Sequence, residues 1–242
     1  MNSFLAACAL LTIVPIQREL QFSARAFSFF PIVGALLGIL LAGALWTFQF
    51  LFPPLVSAAL LTALWALLAG ALHLDGVSDA CDALFAATTR ERRLEILRDV
   101  HMGAFGATGL VLILLVKFSA LSAQNVSAVF LAPVLARWAM VYAAAFPLAR
   151  NEGMAALFAK TLTRREIFWA TLFTFLFCAY FGWLGASAWI VTLVVTTLLA
   201  RFAMSRLGGL TGDIYGLICE SVEVSVLLTG IVFANFARGT IS

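Results

Sequence analysis

Long apolar runs are the feature that most constrains what this chain can fold into. Of its 242 residues, 63% are hydrophobic and 11% are charged, whereas a soluble domain is about half apolar and about a quarter charged. A run of roughly 20 apolar residues crosses a bilayer as a helix, because the backbone in lipid must satisfy its own hydrogen bonds. The runs are too long and continuous for barrel strands. The sequence therefore predicts an all-α, polytopic integral membrane helical bundle that forms a single domain over residues 1–242.

The apolar runs predict about seven spans, divided by proline, glycine and charged residues. The predicted spans are 27–52, 54–74, 103–123, 125–148, 166–184, 186–206 and 222–238. The first sixteen residues are also apolar, but they lack the basic start and the cleavage site of a signal peptide. We expect this segment to be embedded in the membrane, either crossing it or re-entering on the same side.

The charged residues predict the orientation of the bundle. Basic residues concentrate in the long connections 17–26, 75–102, 149–165 and 207–221, and the three short connections carry none. The positive-inside rule places the long connections on the cytoplasmic side. The twelve acidic residues lie on or beside the same connections, which favours an enzyme with a cytoplasmic-face active site over a transporter with polar groups at mid-membrane.

The net charge of the chain excludes one class of partner. A net charge of +3 is too small for a nucleic-acid-binding surface.

Three aspartates share one helix face directly after the second predicted span. Asp75, Asp79 and Asp82 stand at i, i+4 and i+7, within about 60° of one another on an α-helix. Such carboxylates repel one another unless a cation lies between them, and Mg²⁺ prefers oxygen ligands while also binding substrate phosphates. The alternative is a solvated helix start, where the dipole favours acidic side chains. We favour a metal site.

A basic segment with helical spacing follows the aspartates. Its guanidinium groups could bind phosphate or anchor an interfacial helix to anionic lipid headgroups, and both interpretations stay open. The residues concerned are Arg90, Arg93 and Arg98. His101 is a candidate proton acceptor or phosphate contact.

A second candidate cluster lies far along the chain. Gly212 and Asp213 end a glycine-rich stretch that permits close backbone approach to a ligand, and Glu220 and Glu223 follow. These carboxylates could hold a second ion or orient the first, although an ordinary glycine-rich loop with a capped helix start would look similar.

The cations Lys117 and Arg137 also fall inside predicted spans, where charge is costly. Lys117 lies toward the outer end of its span, and we expect it to extend to the membrane surface. Arg137 lies nearer the middle, and we expect it to meet an interior carboxylate or a substrate phosphate.

The chain resembles the cobalamin synthase family, also called adenosylcobinamide-GDP ribazoletransferases. The resemblance is carried first by HLDGVSDACDALFAATTRERRLEILRDVHMGAFG, and it extends over almost the whole chain through FFPIVGALLG, APVLARWAM, ARNEGMAALF and RLGGLTGDIYGLICESVE. One departure is Ala83, where relatives often have glycine after the third aspartate.

The resemblance implies a multi-pass enzyme of the bacterial inner membrane. Such an enzyme joins adenosylcobinamide-GDP to α-ribazole or α-ribazole 5′-phosphate, releases GMP and requires Mg²⁺. Asp75, Asp79 and Asp82 are the implied metal ligands, and one of them or Asp99 would accept the hydroxyl proton. The family's motifs also place functional residues at Arg90, Arg92, Arg98, Asp99, Asp213, Glu220 and Glu223.

Two other functions are alternatives to this one. A CDP-alcohol phosphotransferase also uses an aspartate-rich helix and Mg²⁺, but its motif has Ala-Arg after the first Asp-Gly, where this chain has Val77-Ser78-Asp79. A small transporter would carry polar groups in mid-span, and only Arg137 suggests this. Release of GMP or of CMP separates the two enzymes, and flux in proteoliposomes would reveal a transporter.

Overall fold

The computed structural model describes residues 2–15, 23–150, 153, 156 and 162–237. Apart from one isolated parallel bridge between Leu148 and Leu210, the regular structure in these residues is helical. The α-helices are α1 (Asn2–Leu11), α2 (Phe30–Leu51), α3 (Pro54–Leu68), α4 (Leu72–Phe85), α5 (Arg90–Ile96), α6 (Ala104–Leu121), α7 (Val126–Ala143), α8 (Arg164–Tyr180), α9 (Gly182–Leu207) and α10 (Gly212–Ala237). A 3₁₀ helix, Ala24–Phe29, leads into α2.

The predicted class, a polytopic helical membrane bundle, is confirmed. Five of the described helices are long and apolar enough to cross a bilayer: α2 with its 3₁₀ turn, α6, α7, α9 and α10. The bent pair of α3 and α4 makes a sixth if it counts as one span. The remaining predicted span, 166–184, corresponds to α8, which has 17 residues and is not among these candidates.

The N-terminal segment forms a helix too short to cross the membrane by itself. With 10 residues, α1 rises about 15 Å, half of the roughly 30 Å hydrocarbon core. Its buried residues Ala6, Ala7 and Leu11 pack into the bundle.

The second predicted span does not run straight. Gly70 and Ala71 both adopt left-handed backbone conformations, with φ of 63° and 54°, and the helix breaks there with a bend of 90° between α3 and α4. Glycine adopts this conformation freely, but alanine does so at a steric cost. The bend separates the acidic helix α4 from the apolar helix α3.

Helix α7 is the centre of the bundle. Its most apolar stretch is 78% buried, compared with 22% for α6. Glycines let α2 approach it closely, because a Cβ atom at Gly34 or Gly38 would collide with the backbone of α7 at Pro133 or Phe130. Large apolar side chains such as Phe50, Leu115 and Phe175 are instead more than half exposed, as expected of a surface that contacts lipid.

Candidate functional site

A close crossing of two helices assembles the acidic side chains. A Cβ atom at Gly76 of α4 would lie only 2.9 Å from the carbonyl oxygen of Asp213 and 3.1 Å from Cα of Gly216 in α10. Glycine at both positions therefore allows the two backbones to touch. The crossing brings the start of α10 beside the aspartates of α4.

Four aspartates lie around this crossing. Asp75 is exposed, while Asp79, Asp82 and Asp213 are half-buried. The charge of Asp79 is repelled by Asp75, Asp213 and Asp82, so the predicted stripe and the predicted second cluster meet at Asp213. We call these four residues the acid cluster.

Asp82 also has a structural task in the acid cluster. Its two carboxylate oxygens accept hydrogen bonds of 2.7 and 2.8 Å from the backbone N–H groups of Gly103 and Gly106. These are free donors at the start of α6, so Asp82 caps that helix from another part of the chain. A Cβ at either glycine would collide with the Asp82 carboxylate.

Asp213 is held by a loop that the sequence analysis did not assign to the site. The backbone of 147–149 pairs with that of Leu210 through bonds of 2.8 and 2.9 Å, which brings Arg150 within 3.4 Å of the Asp213 carboxylate. Thr211 donates a second bond of 3.0 Å to the same oxygen. No spacing in the sequence links Arg150 to Asp213, because they are joined only by this loop pairing.

Glu220 and Glu223, which were predicted as metal ligands, lie apart from the acid cluster. They lie inside α10, about 10 and 15 Å along the helix from Asp213 at 1.5 Å per residue, and both are buried. Lys117 contacts each of them at 2.5 Å. Arg137 donates to Glu223.

The same network bears on two further expectations. Lys117 is buried, only 3% exposed, and so it does not extend to the membrane surface. Arg137 is completely buried and meets an interior carboxylate, which was one of its two expected partners. Opposite charges inside the bundle neutralise each other.

The basic segment is largely occupied with packing. Arg90 donates a 2.7 Å bond to the carbonyl of Leu207 at the end of α9, a favourable place for a cation. The buried Arg93 donates to the carbonyls of Ala83 and Leu84 at the end of α4. Arg92 forms an exposed pair of 2.7 Å with Glu95 on α5.

The connection into α6 carries a second exposed pair. Asp99 accepts 2.7 and 3.0 Å hydrogen bonds from the ring and the backbone of His101. These bonds lower the pKa of Asp99. Asp99, His101 and Arg98 are all exposed, and their roles at the site stay predictions.

A cavity of about 200 Å³ adjoins the acid cluster. Asp75, Asp213 and Gly212 line one part of it, and a side chain at Gly212 would enter open space. His73 and Tyr215 also line the cavity, and both are buried without a hydrogen-bond partner for either imidazole nitrogen or for the phenol. Neither residue is predicted from the sequence as part of the site, since only the crossing of α4 and α10 brings them together.

The donor chemistry of the acid cluster suits a hard divalent ion, although the side chains are not arranged around one point. Among the described residues, no group of three or more His, Cys, Asp or Glu side chains has the arrangement of a metal site. Of the four carboxylates, Asp213 has a cationic contact, Arg150. Oxygen ligands of this kind bind Mg²⁺ through one or two carboxylates together with waters and phosphates.

Comparison with known proteins connects this geometry to a family. A family model described as cobalamin-5-phosphate synthase matches residues 3–232. The chain is similar to adenosylcobinamide-GDP ribazoletransferases from Desulfitobacterium hafniense (38% identical, covering 94% of both chains) and Roseiflexus sp. (38% identical, 92% of this chain and 87% of the relative). A third, from Deinococcus radiodurans, is 41% identical over 91% of this chain and 82% of its own. No solved structure gives a significant match.

Proposed function

The chain belongs to the cobalamin-5-phosphate synthase family, and from this premise we propose that its acid cluster catalyses the transfer reaction named for its relatives. The substrates are adenosylcobinamide-GDP and α-ribazole or α-ribazole 5′-phosphate, and the products are the joined cobalamin and GMP. The observation that carries the proposal is the meeting of Asp75, Asp79 and Asp213 where Gly76 crosses Gly216, beside a cavity. Phosphoryl-type transfer depends on positioning and charge neutralisation, which such a cluster can provide.

The proposed reaction is a substitution at phosphorus. A ribose hydroxyl oxygen of α-ribazole bonds to the phosphorus on the cobinamide side of the diphosphate. The bond from that phosphorus to the bridging oxygen breaks, and GMP leaves with this oxygen. The hydroxyl proton passes to a carboxylate, and Asp75 is the best placed because it is exposed and lines the cavity. Asp99 is less well placed, since it already accepts two bonds from His101.

We propose that Mg²⁺ is held by Asp79 together with Asp82 or Asp213, and that waters and the substrate diphosphate complete its ligands. Each oxygen of Asp82 accepts one backbone hydrogen bond and retains a lone pair for a further contact. When bound, the ion would neutralise the negative charge of the diphosphate and of the departing GMP. Arg150 sits against Asp213, where it can orient this carboxylate and contribute positive charge to a phosphate oxygen.

We propose that the site faces the cytoplasm from the inner membrane of a bacterium. The support is the basic residues Arg90 and Arg150, which lie in the long connections beside the cluster, because basic loops stay cytoplasmic. Alkaline phosphatase fused after Ala123, in the short connection between α6 and α7, should be active outside the cytoplasm. A fusion after Arg98 should be inactive, and the reverse pattern would contradict the orientation.

The direct test of the reaction uses purified protein in detergent with adenosylcobinamide-GDP and α-ribazole. The proposal predicts stoichiometric GMP and joined product that appear only when both substrates and Mg²⁺ are present. Release of CMP from a CDP-alcohol, with no GMP from the cobinamide nucleotide, would instead support the alternative enzyme class.

A further inference from the structure

We infer that the cavity beside the acid cluster is the binding site of the acceptor α-ribazole, with His73 and Tyr215 as its polar contacts. This inference rests on the proposed function, since it assigns one of the two substrates of that reaction to a place in the fold. The cavity lies between α1, the 3₁₀ turn, the start of α2, and helices α4, α7 and α10.

The first argument is the presence of unpaired polar groups in the cavity wall. His73 is 2% exposed and Tyr215 is 6% exposed, yet both imidazole nitrogens and the phenol lack hydrogen-bond partners. Burying such groups without partners is costly, so they are usually explained by a ligand, water or a functional role. Together they offer donors and acceptors suited to the hydroxyl groups of a sugar.

The second argument is the apolar character of the rest of the wall. Its members are Leu10, Leu11, Phe27, Phe30, Leu72 and Met140. The base of α-ribazole, dimethylbenzimidazole, has no exocyclic hydrogen-bonding groups and can lie against such a surface. The guanine of the other substrate has polar groups along its edge, and these would lose their partners here.

The third argument is size. About 200 Å³ is below the roughly 300–1,000 Å³ of pockets that enclose drug-sized ligands. The space therefore suits one fused, two-ring heteroaromatic base and part of its sugar, while the corrin ring system of the donor substrate is too large.

The position of the cavity agrees with its chemistry. Asp75 and Asp213 stand at its polar part, where a ribose hydroxyl held by His73 or Tyr215 would lie beside the carboxylate proposed to take its proton. The base would then point toward α1 and the start of α2. Helix α1, which is too short to span the membrane, would then form one wall of this binding site.

Tyr215→Phe is the sharpest test, because it removes only an oxygen that has no partner in the protein. If the oxygen binds substrate, the KM for α-ribazole should rise about 3- to 10-fold, the value of one hydrogen bond. The KM for adenosylcobinamide-GDP should stay within twofold, and the melting temperature should not fall. Thr196→Val is the matched control, since it removes another buried hydroxyl without a partner from α9, outside the cavity lining, and it should leave both KM values unchanged.

A binding measurement keeps this inference separate from the reaction itself. In equilibrium dialysis without the donor substrate, wild-type protein should retain α-ribazole. Dimethylbenzimidazole should compete with it, and guanosine should not.

The outcomes test the assignment of the cavity and the proposed reaction separately. Competition by guanosine, or an unchanged KM and unchanged retention in Tyr215→Phe while GMP is still released, would overturn the assignment of the cavity. Failure of the wild-type protein to release GMP, with α-ribazole still retained, would count against the proposed reaction and leave the binding site standing.

Discussion

Replacement of Glu223 by glutamine should destabilise the protein more than the same change at Glu220. Arg137 is fully buried, and among the described residues its ion-pair partner is Glu223. In Glu223→Gln the guanidinium keeps its charge inside the bundle without a counter-ion. Lys117 is different, because it contacts both glutamates at 2.5 Å and keeps one of them in either variant.

The expected magnitudes follow from this difference in partners. Loss of one member of a buried pair costs about 3–5 kcal/mol, so Glu223→Gln should lower the melting temperature by about 6–20 °C, at 2–4 °C per kcal/mol for a chain of this size. Glu220→Gln removes one charged hydrogen bond and should cost about 1.5–3 kcal/mol. Replacing Lys117 and Glu220 together by methionine should be close to neutral, since it removes both charges.

The assay is thermal unfolding of purified protein in one detergent, with GMP release measured below the transition. Equal or larger destabilisation by Glu220→Gln would refute the partner argument. A Glu223→Gln variant with unchanged stability and no activity would instead indicate that Glu223 acts in the catalytic metal site, contrary to the contacts described above.

Three further changes test how the site is built. Asp82→Asn should lower stability by about 1.5–3 kcal/mol, because one of the two bonds that cap α6 loses its charged acceptor, as thermal unfolding would reveal; an unchanged transition would contradict the cap. Gly76→Ala should abolish activity in a protein that still inserts, since the new Cβ would push α10 away near Asp213; Gly43→Ala, with open space around it, is the control. Asp75→Asn should lower turnover about 10²- to 10⁴-fold, the usual contribution of a general base, with Mg²⁺ affinity unchanged in equilibrium dialysis; near-normal turnover would exclude it as the base.

The helical membrane architecture could be predicted from the sequence because it depends on local composition. Apolar runs must form helices in lipid, and the stripe of Asp75, Asp79 and Asp82 follows from helical spacing alone. The same local reasoning failed at Ala71, since nothing in its side chain indicates the left-handed conformation that bends the second span.

The pairing of the buried charges was less predictable, because it depends on which helices pack against one another in the tertiary structure. Glu220 and Glu223 stand on or beside a predicted cytoplasmic connection, and the sequence does not reveal that Lys117 and Arg137 come from two other helices to meet them. The partners of Asp213 were missed for a related reason. Arg150 reaches it only through the backbone pairing of 147–149 with Leu210.

The most direct test of the central claim is the Mg²⁺ dependence of GMP release by the wild-type protein and by Asp79→Asn, with Glu91→Gln as the control for loss of an exposed carboxylate on α5. The account predicts that wild-type and Glu91→Gln proteins show the same saturable Mg²⁺ requirement. Asp79→Asn should insert normally but need far more Mg²⁺ and release GMP far more slowly. Unimpaired GMP release by Asp79→Asn at wild-type Mg²⁺ concentrations, or wild-type release that persists in excess chelator, would contradict a catalytic metal site at the crossing of α4 and α10.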